Sequence, residues 1–293
     1  MYGFDLYKAI DELQRLTTIS FVDESSVIGR DGEKRNVESK LLAESSQEAR
    51  DVDVISLVGL GGIGKTILGP LAFNDAEVTA HFEKKIRVCV SDPFDEVKIA
   101  KAILEELEGR APNLVELQSL LQRVSESIKG KRFLLVLDDV WTKNHGQWEP
   151  LKLSLKGGAT GSRILVTTRK GVVAMMMRTD HQINVEKLSD EICMSIFNQV
   201  AFYKRSKGEC ERLTEIDDKI ASKCKGLPLA AKVLGGLMQS KRTRQEWEHV
   251  LCSELWELEH VERGLLLGLF LNSNTHNLRG LATCLLHGAT GLY

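Results

Sequence analysis

Eight consecutive residues combine glycines with a lysine and a threonine in the order Gly59-Leu60-Gly61-Gly62-Ile63-Gly64-Lys65-Thr66. They satisfy the phosphate-loop pattern G-x-x-x-x-G-K-[ST]. Glycines allow successive backbone N–H groups to curve around a phosphate, and the N-terminus of a following helix adds partial positive charge. We therefore expect Lys65 to bind the β- and γ-phosphates of a nucleotide and the Thr66 hydroxyl to ligate Mg²⁺.

Two carboxylates and an arginine follow apolar segments that have the character of buried strands. Asp138 and Asp139 come directly after residues 133–137, and Arg169 follows residues 163–168. Because ligands of open α/β sheets bind at the carboxyl ends of the strands, we expect Asp138 to hold magnesium through water. Asp139 is then suited to orient or deprotonate an attacking water. Arg169 is a planar, charged donor for a terminal phosphate. Considered alone, however, the acids fit a surface turn and the arginine a solvated strand end.

The elements that must position these residues are short apolar strands alternating with helices. Strands are predicted at 54–58, 85–90, 133–137 and 163–168. Residues with helical spacing of apolar side chains follow at 67–73, 97–107 and 117–128. Strands that are apolar throughout and alternate with helices are typical of a parallel sheet covered on both faces. The predicted fold class is therefore α/β, a P-loop NTPase with a parallel sheet covered by helices.

A small all-α subdomain is predicted after the sheet, because no strand pattern occurs beyond about residue 185. Ser189 is a candidate N-cap, and Gly226 follows a helix that ends at the preceding lysine. Pro228 stands where a first helical residue should. Thr243 and Glu246 have the spacing of a capping box before another helix.

Composition excludes several classes of protein. The 293 residues are 43% hydrophobic and 27% charged, with a formal net charge of −2. This balance is that of a globular protein and argues against a dedicated nucleic-acid or anionic-membrane binder. The six cysteines form no CxxC pair, so neither a zinc site nor a disulfide framework is predicted. Charged residues within 1–20 exclude a signal peptide, and no apolar run near the end approaches the ~20 residues of a membrane helix. We expect a cytoplasmic protein with no nucleic-acid partner and no membrane span.

Several motifs in a fixed order resemble the NB-ARC module of plant disease-resistance receptors, the nucleotide-binding leucine-rich-repeat proteins. They are the phosphate loop and the segments Val27-Ile28-Gly29-Arg30, Phe133-Leu134-Leu135-Val136-Leu137-Asp138-Asp139-Val140-Trp141, Gly161-Ser162-Arg163-Ile164-Leu165-Val166-Thr167-Thr168-Arg169 and Gly226-Leu227-Pro228-Leu229-Ala230. The resemblance extends from about residue 15 to 263. Trp141, which ends the segment 133–141, makes the resemblance closest to the receptors with a coiled-coil N-terminus.

The resemblance implies an ADP/ATP switch in which ADP holds the protein off and ATP permits oligomerisation and defence signalling. Hydrolysis in such switches is slow, so the chain is at most a slow ATPase. The resemblance places Val27, Ile28, Gly29 and Arg30 near the adenine. It implies that Arg169 senses the γ-phosphate, and that Pro228 caps the nucleotide. The cofactors are ADP or ATP with Mg²⁺, Thr66 and Asp138 being the metal-side residues and Asp138 and Asp139 the catalytic ones. The residues assigned to the nucleotide are Val27, Ile28, Gly29, Arg30, Gly59, Gly61, Gly62, Ile63, Gly64, Lys65, Thr66, Ile67, Arg169 and Pro228.

The chain departs from the family pattern in three places. Ile67 stands where the family usually has a second threonine, which removes one hydroxyl near the phosphates. Pro70 falls inside the helix after the loop, where a proline costs ~3 kcal/mol and frees a carbonyl, so we expect weakened nucleotide binding. After residue 263 the pattern stops, and no leucine-rich repeats or Met-His-Asp motif follow. We expect a truncated or out-of-frame product.

The resulting domain prediction has four parts. Residues 1–25 form a residual N-terminal helix and linker, 26–187 the P-loop nucleotide-binding domain, 188–262 a helical subdomain and 263–293 a divergent tail. Two alternative functions stay open at this point. One is a nucleotide-binding remnant or decoy that contacts full-length receptors or other signalling proteins. The other is a P-loop kinase or metabolic ATPase, for which the sequence offers no acceptor pocket or lid. Trp141 and Trp148 flank a polar segment, and the sequence assigns neither a role.

Overall fold

Five short strands alternate with helices in the first part of the described chain. The computed structural model describes residues 27–44, 52–90, 94–205, 217–239 and 241–251. The strands are β1 (Asp53–Val58), β2 (Lys84–Cys89), β3 (Phe133–Asp138), β4 (Arg163–Thr168) and β5 (His181–Asn184). They form one sheet in the order β2-β3-β4-β1-β5, and all four pairings are parallel. This topology confirms the predicted α/β fold.

Seven helices accompany the sheet in the described ranges. They are α1 (Asp31–Leu42), α2 (Lys65–Asn74), α3 (Ala76–His81), α4 (Glu96–Glu108), α5 (Leu117–Ile128), α6 (His145–Leu155) and α7 (Gly171–Met176). All six residues of β3 and all six of β4 are buried. Because side chains alternate along a strand, both faces of these two strands require cover. Leu135 and Leu137 share one apolar cluster with residues of α4, α5 and α6, whereas α2 packs on β3 and β4.

Four more helices follow the sheet. They are α8 (Asp190–Ala201), α9 (Asp217–Cys224), α10 (Pro228–Gln239) and α11 (Arg244–Leu251). Two predicted caps are present, because Ser189 Oγ accepts the Ile192 N–H and Thr243 Oγ1 accepts the Glu246 N–H. The proline at the start of α10 is where the sequence predicts it, since its missing N–H costs nothing in a first turn. The all-helical character predicted after the sheet is thus present in the described residues.

The chain divides into two compact units. The sheet unit comprises the described residues of Phe21–Leu60 and Lys65–Glu186, and the helical unit those of Gly61–Gly64 and Lys187–Tyr293. In the helical unit α8 and α10 cross closely at Gly235, where an added Cβ would lie 2.9 Å from the Phe197 carbonyl oxygen. The rings of Phe197 and Trp247 meet edge to face at 5.7 Å. A backbone hydrogen bond of 3.2 Å from Leu229 N to Gly62 O joins the four loop residues to α10.

Several features of the described chain were not predicted. The helices α1, α3 and α6 and the strand β5 are among the elements that have no counterpart in the sequence interpretation. Trp148, assigned to the edge of a polar segment, lies inside α6 and is 1% exposed. By contrast, Pro70 lies inside α2 as predicted, and the helix continues through it to Asn74. The residual N-terminal helix and the divergent tail lie outside the described residues.

Candidate functional site

The predicted phosphate loop joins the carboxyl end of β1 to the first turn of α2. The Gly59 N–H donates to the Thr168 carbonyl of β4, which fixes the start of the loop at the edge of the sheet. Gly62 and Gly64 have φ values of +74° and +105°, a region that side chains rarely adopt. At Gly62 a Cβ would also lie 3.0 Å from Leu229 Cβ, both residues belonging to the helical unit. Glycine at position 62 is therefore required by conformation and by space.

Lys65, the first residue of α2, is a buried cation whose side chain is held by backbone carbonyls. Its residue is 5% exposed, and Nζ donates to Gly59 O at 2.9 Å and to Leu60 O at 3.0 Å. The pKa of this ammonium is lowered to about 8, chiefly by burial and also by the nearby Arg169 charge, while the charges of Asp139 and Asp138 act in the opposite direction. Among the described residues Lys65 forms no ion pair with a carboxylate. The ammonium is charged at neutral pH but only weakly compensated.

Thr66 and Ile67 follow Lys65 in the first turn of α2. Thr66 is exposed and Ile67 is half-buried. An exposed threonine directly after the buried lysine is a suitable position for a side chain that meets a ligand. The next position carries an aliphatic side chain and offers no hydroxyl.

Asp138 ends β3 and is buried among polar partners. It is 2% exposed, and its Oδ1 accepts a hydrogen bond of 2.5 Å from Thr167 Oγ1 of β4. Its Oδ2 lies 3.6 Å from Arg87 Nη2 of β2. Burial raises the pKa of the Asp138 carboxyl, although the Thr167 hydrogen bond and the Arg87 charge act in the opposite direction. Three neighbouring strands therefore hold this carboxylate in place.

Asp139 differs from its neighbour in exposure and in backbone conformation. Its side chain is 33% exposed and its φ is +58°, a left-handed conformation that aspartate tolerates better than most residues. Its N–H donates to Thr167 Oγ1 at 2.8 Å, so one hydroxyl fixes both aspartates. Its Oδ1 lies 3.7 Å from Arg169 Nε. Of the two carboxylates, Asp139 is the one that a solvent molecule can reach.

Four of the predicted residues thus lie together at the carboxyl edge of the sheet: Lys65, Asp138, Asp139 and Arg169. The residues predicted near the adenine stand before and at the start of α1. Val27, Ile28 and Gly29 are half-buried, while Arg30 is 4% exposed and forms an ion pair with Glu33. In the helical unit, Pro228 is buried and opens α10, and Gly61 and Ile63 are buried.

Two residues of the site were missed by the sequence interpretation. Arg87 lies in β2 and Thr167 in β4, and both contact Asp138. Thr167 carries a signal, because a threonine that follows the apolar run of a buried strand has to place its hydroxyl on a buried partner. Arg87 alternates with apolar residues in β2, so the pattern alone is that of a solvated face.

The fold and the carboxyl-edge residues define a P-loop NTPase. The ORC2 protein of Aeropyrum pernix, solved in ADPNP and ADP complexes, has a TM-score of 0.56 and 14% identity, over 77% of this chain and 67% of that chain. Cdc6p from Pyrobaculum aerophilum has a TM-score of 0.54 and 16% identity, over 73% of this chain and 64% of that chain. At such identities these likenesses establish the fold alone.

The sequence comparisons establish the family. The NB-ARC domain model matches residues 30–207, more than half of the chain, and the chain therefore belongs to the NB-ARC family. Disease resistance protein RGA2 of Solanum bulbocastanum is 41% identical over 274 residues, which cover 92% of this chain and 28% of that protein. Disease resistance RPP13-like protein 4 of Arabidopsis thaliana is 36% identical over 233 residues, 78% of this chain and 27% of that protein. The chain spans about a quarter of the length of these relatives.

No helix in the described ranges combines the length and the hydrophobicity that crossing a lipid bilayer would require.

Proposed function

We propose that this chain binds ADP or ATP with Mg²⁺ at residues 59–66 and acts as a cytoplasmic nucleotide switch in plant defence. The observation that carries the proposal is Lys65, a buried cation with carbonyl partners and no ion-paired carboxylate in the described chain. An ammonium that is desolvated without a counter-ion is costly, unless an external anion compensates it. Membership of the NB-ARC family and a P-loop fold support a nucleotide phosphate as that anion.

The residues around Lys65 fit a magnesium nucleotide in chemical type. Mg²⁺ prefers oxygen ligands and keeps several waters, so a hydroxyl and a nearby carboxylate are suitable donors. Thr66, an exposed residue, offers a hydroxyl, and Asp138 offers a carboxylate held by Thr167 and Arg87. When bound, the metal neutralises part of the negative charge on the phosphates. Its proximity would also lower the pKa of Asp138, opposing the effect of burial.

On this proposal different side chains bind the phosphates, sense the γ-phosphate and activate water. Lys65 binds the β- and γ-phosphates, and Arg169 senses the γ-phosphate. Asp139, the more exposed carboxylate, orients or deprotonates a water for slow hydrolysis. Arg169 Nε lies 3.7 Å from Asp139 Oδ1, so the arginine restricts the position of this carboxylate.

Adenine recognition is assigned from the family resemblance. We infer that Val27, Ile28, Gly29 and Arg30 contact the base and that Pro228 caps the nucleotide. Proline is suited to such a position, because it presents an apolar ring and offers no backbone N–H. Since the relatives are about four times as long, the signalling output of a whole receptor belongs to the proposal as well.

The proposal is tested by the nucleotide that the purified chain releases on denaturation. Wild type is expected to release near-stoichiometric ADP and the Lys65→Ala variant none. Lys85→Ala is a matched control, because burial also lowers the pKa of the Lys85 ammonium and its Nζ donates to the Phe73 carbonyl at 2.7 Å. That variant is expected to retain its nucleotide. Absence of nucleotide from a folded wild-type sample, even after incubation with ATP and Mg²⁺, would refute the proposal.

A further inference from the structure

Trp141 lies three residues beyond the end of β3. Its ring is close to two cationic side chains, Arg169 and Lys170, which directly follow β4. The guanidinium carbon of Arg169 is 4.7 Å from the centre of the Trp141 ring, and Lys170 Nζ is 5.3 Å from it. Both distances fall within the ~6 Å at which a cation is attracted to the face of an indole ring. Arg169 is half-buried, whereas Lys170 is exposed. The ring therefore makes its more protected contact with the arginine.

The backbones that carry Trp141 and Arg169 are fixed to each other by hydrogen bonds. Val140 N donates to Thr167 O at 2.9 Å, and Thr168 Oγ1 donates to Val140 O at 2.8 Å. Val140, next to Trp141, thus both donates a hydrogen bond to the end of β4 and accepts one from it. This arrangement fixes the relative positions of the two backbone segments that carry the ring and the guanidinium.

Arg169 contacts both the aromatic ring and an acid. Its Nε lies 3.7 Å from Asp139 Oδ1, in addition to the contact with Trp141. A long arginine side chain has considerable rotamer freedom, which these two contacts restrict. Its charge also reaches Lys65, whose pKa it lowers. The guanidinium is therefore held within the electrostatic reach of the phosphate-loop lysine.

We propose that Trp141 is a positioning residue that holds the Arg169 guanidinium where the terminal phosphate of ATP is bound. This inference rests on the proposed nucleotide site and extends it to discrimination between nucleotides. ADP lacks the phosphate that Arg169 meets. The contact with the ring therefore strengthens ATP binding and leaves ADP binding unchanged.

The experiment compares two substitutions of similar apolar character in the full chain. Trp141→Leu removes the aromatic face, and Trp141→Phe keeps one. Affinities are measured with Mg²⁺ for ADP and for a non-hydrolysable ATP analogue. Trp141→Leu is expected to lower the ATP-to-ADP affinity ratio about fivefold, whereas Trp141→Phe stays within about twofold of wild type. Lys170→Ala is the matched control and is expected to keep the wild-type ratio.

A double-mutant cycle with Arg169→Ala separates positioning from a general loss of packing. In the Arg169→Ala background, Trp141→Leu is expected to have no further effect on the ratio. An equal loss of ADP and ATP affinity, or the same loss of ratio without Arg169, would overturn the inference while leaving the proposed function standing. If wild type binds neither nucleotide, both the proposed function and this inference fail together.

Discussion

Two buried cations of the sheet unit differ in their partners, because one is ion-paired with a carboxylate and the other is held by backbone carbonyls. Arg163, the first residue of β4, is 2% exposed and pairs with Asp53 Oδ2 at 2.7 Å. Its Nη2 also donates to the Ala43 carbonyl at 2.8 Å. Lys65, after the carboxyl end of β1, is 5% exposed and is held by two carbonyls, with no ion pair to a carboxylate in the described chain. Arg163, at the amino edge of the sheet, is thus ion-paired with a carboxylate, whereas Lys65, at the carboxyl edge, has no ion pair in the described chain.

The difference separates a charge that holds the fold together from one that is suited to a ligand. Burial lowers the pKa of both groups, but the charge of Asp53 raises that of Arg163 again, and a guanidinium stays protonated at any ordinary pH. The pKa of Lys65 is lowered to about 8, close enough to neutrality for its charge to depend on what binds nearby. Removing each cation should therefore have opposite effects on stability and on binding.

The largest expected effect is on nucleotide affinity in Lys65→Met. Loss of charged hydrogen bonds to phosphate is expected to weaken binding about 100-fold or more. The free energy of unfolding without nucleotide should rise by about 1–2 kcal/mol, because an apolar side chain replaces a weakly compensated buried charge. Calorimetric titration and urea unfolding measure the two quantities. A variant that loses stability and affinity in parallel would show that Lys65 serves the fold.

Arg163→Met is expected to show the reverse pattern. Removing one partner of the ion pair leaves Asp53 and the Ala43 carbonyl without their donor, and should lower the free energy of unfolding by about 2–3 kcal/mol. Affinity for ADP should stay within about twofold of wild type, since this side chain lies at the other edge of the sheet. Asp53→Asn is the companion variant, because it removes the acid and leaves the arginine buried. Loss of nucleotide binding by folded Arg163→Met would remove the distinction between the two edges.

The pH dependence of binding sharpens the comparison further. The free protein's Lys65 has a pKa of about 8, whereas a bound phosphate favours the charged ammonium. Binding above that pKa must take up a proton, so affinity falls as the pH rises. Between about pH 7 and pH 9 the charged fraction drops about tenfold, and ADP affinity is expected to drop by the same factor. Lys65→Met should abolish this slope, and Arg163→Met should keep it. A slope of the opposite sign in wild type would contradict the assignment.

The strands that carry the site were the easiest part of the fold to predict. β3 and β4 are buried on both faces, and each contains a continuous run of apolar residues, which predicts a buried strand. β5 was missed because it is a four-residue edge strand in which only Ile183 is buried. α6 was missed because Pro150 and several polar residues interrupt its pattern. Its N-cap, Asn144 Oδ1 accepting the Gly146 N–H, has no sequence signal strong enough to offset them.

The charged residues of the site were predicted, but their supporting contacts were not. Lys65 and Asp138 belong to motifs in which residue type and spacing specify the chemistry. The contacts of Asp138 with Thr167 and Arg87 depend on the strand order β2-β3-β4, which no local pattern contains. The left-handed conformation of Asp139 depends likewise on the Thr167 hydroxyl that accepts its N–H. These contacts therefore depend on the pairing of strands that are distant in sequence, and residue spacing alone does not predict them.

The smallest expected effect concerns Ile67, half-buried in the first turn of α2. If residues 59–66 bind phosphate, Ile67→Thr adds one hydroxyl donor next to Thr66 and should strengthen ADP binding about three- to fivefold. Both side chains are β-branched, so the helix is expected to tolerate the exchange. Ile67→Val is the matched control, because it has nearly the shape of threonine and no hydroxyl. Since only the hydroxyl separates the two variants, equal ADP affinities would mean that position 67 does not face the phosphates. If only Ile67→Thr gains ADP affinity, position 67 contributes to the phosphate site together with Lys65 and Thr66.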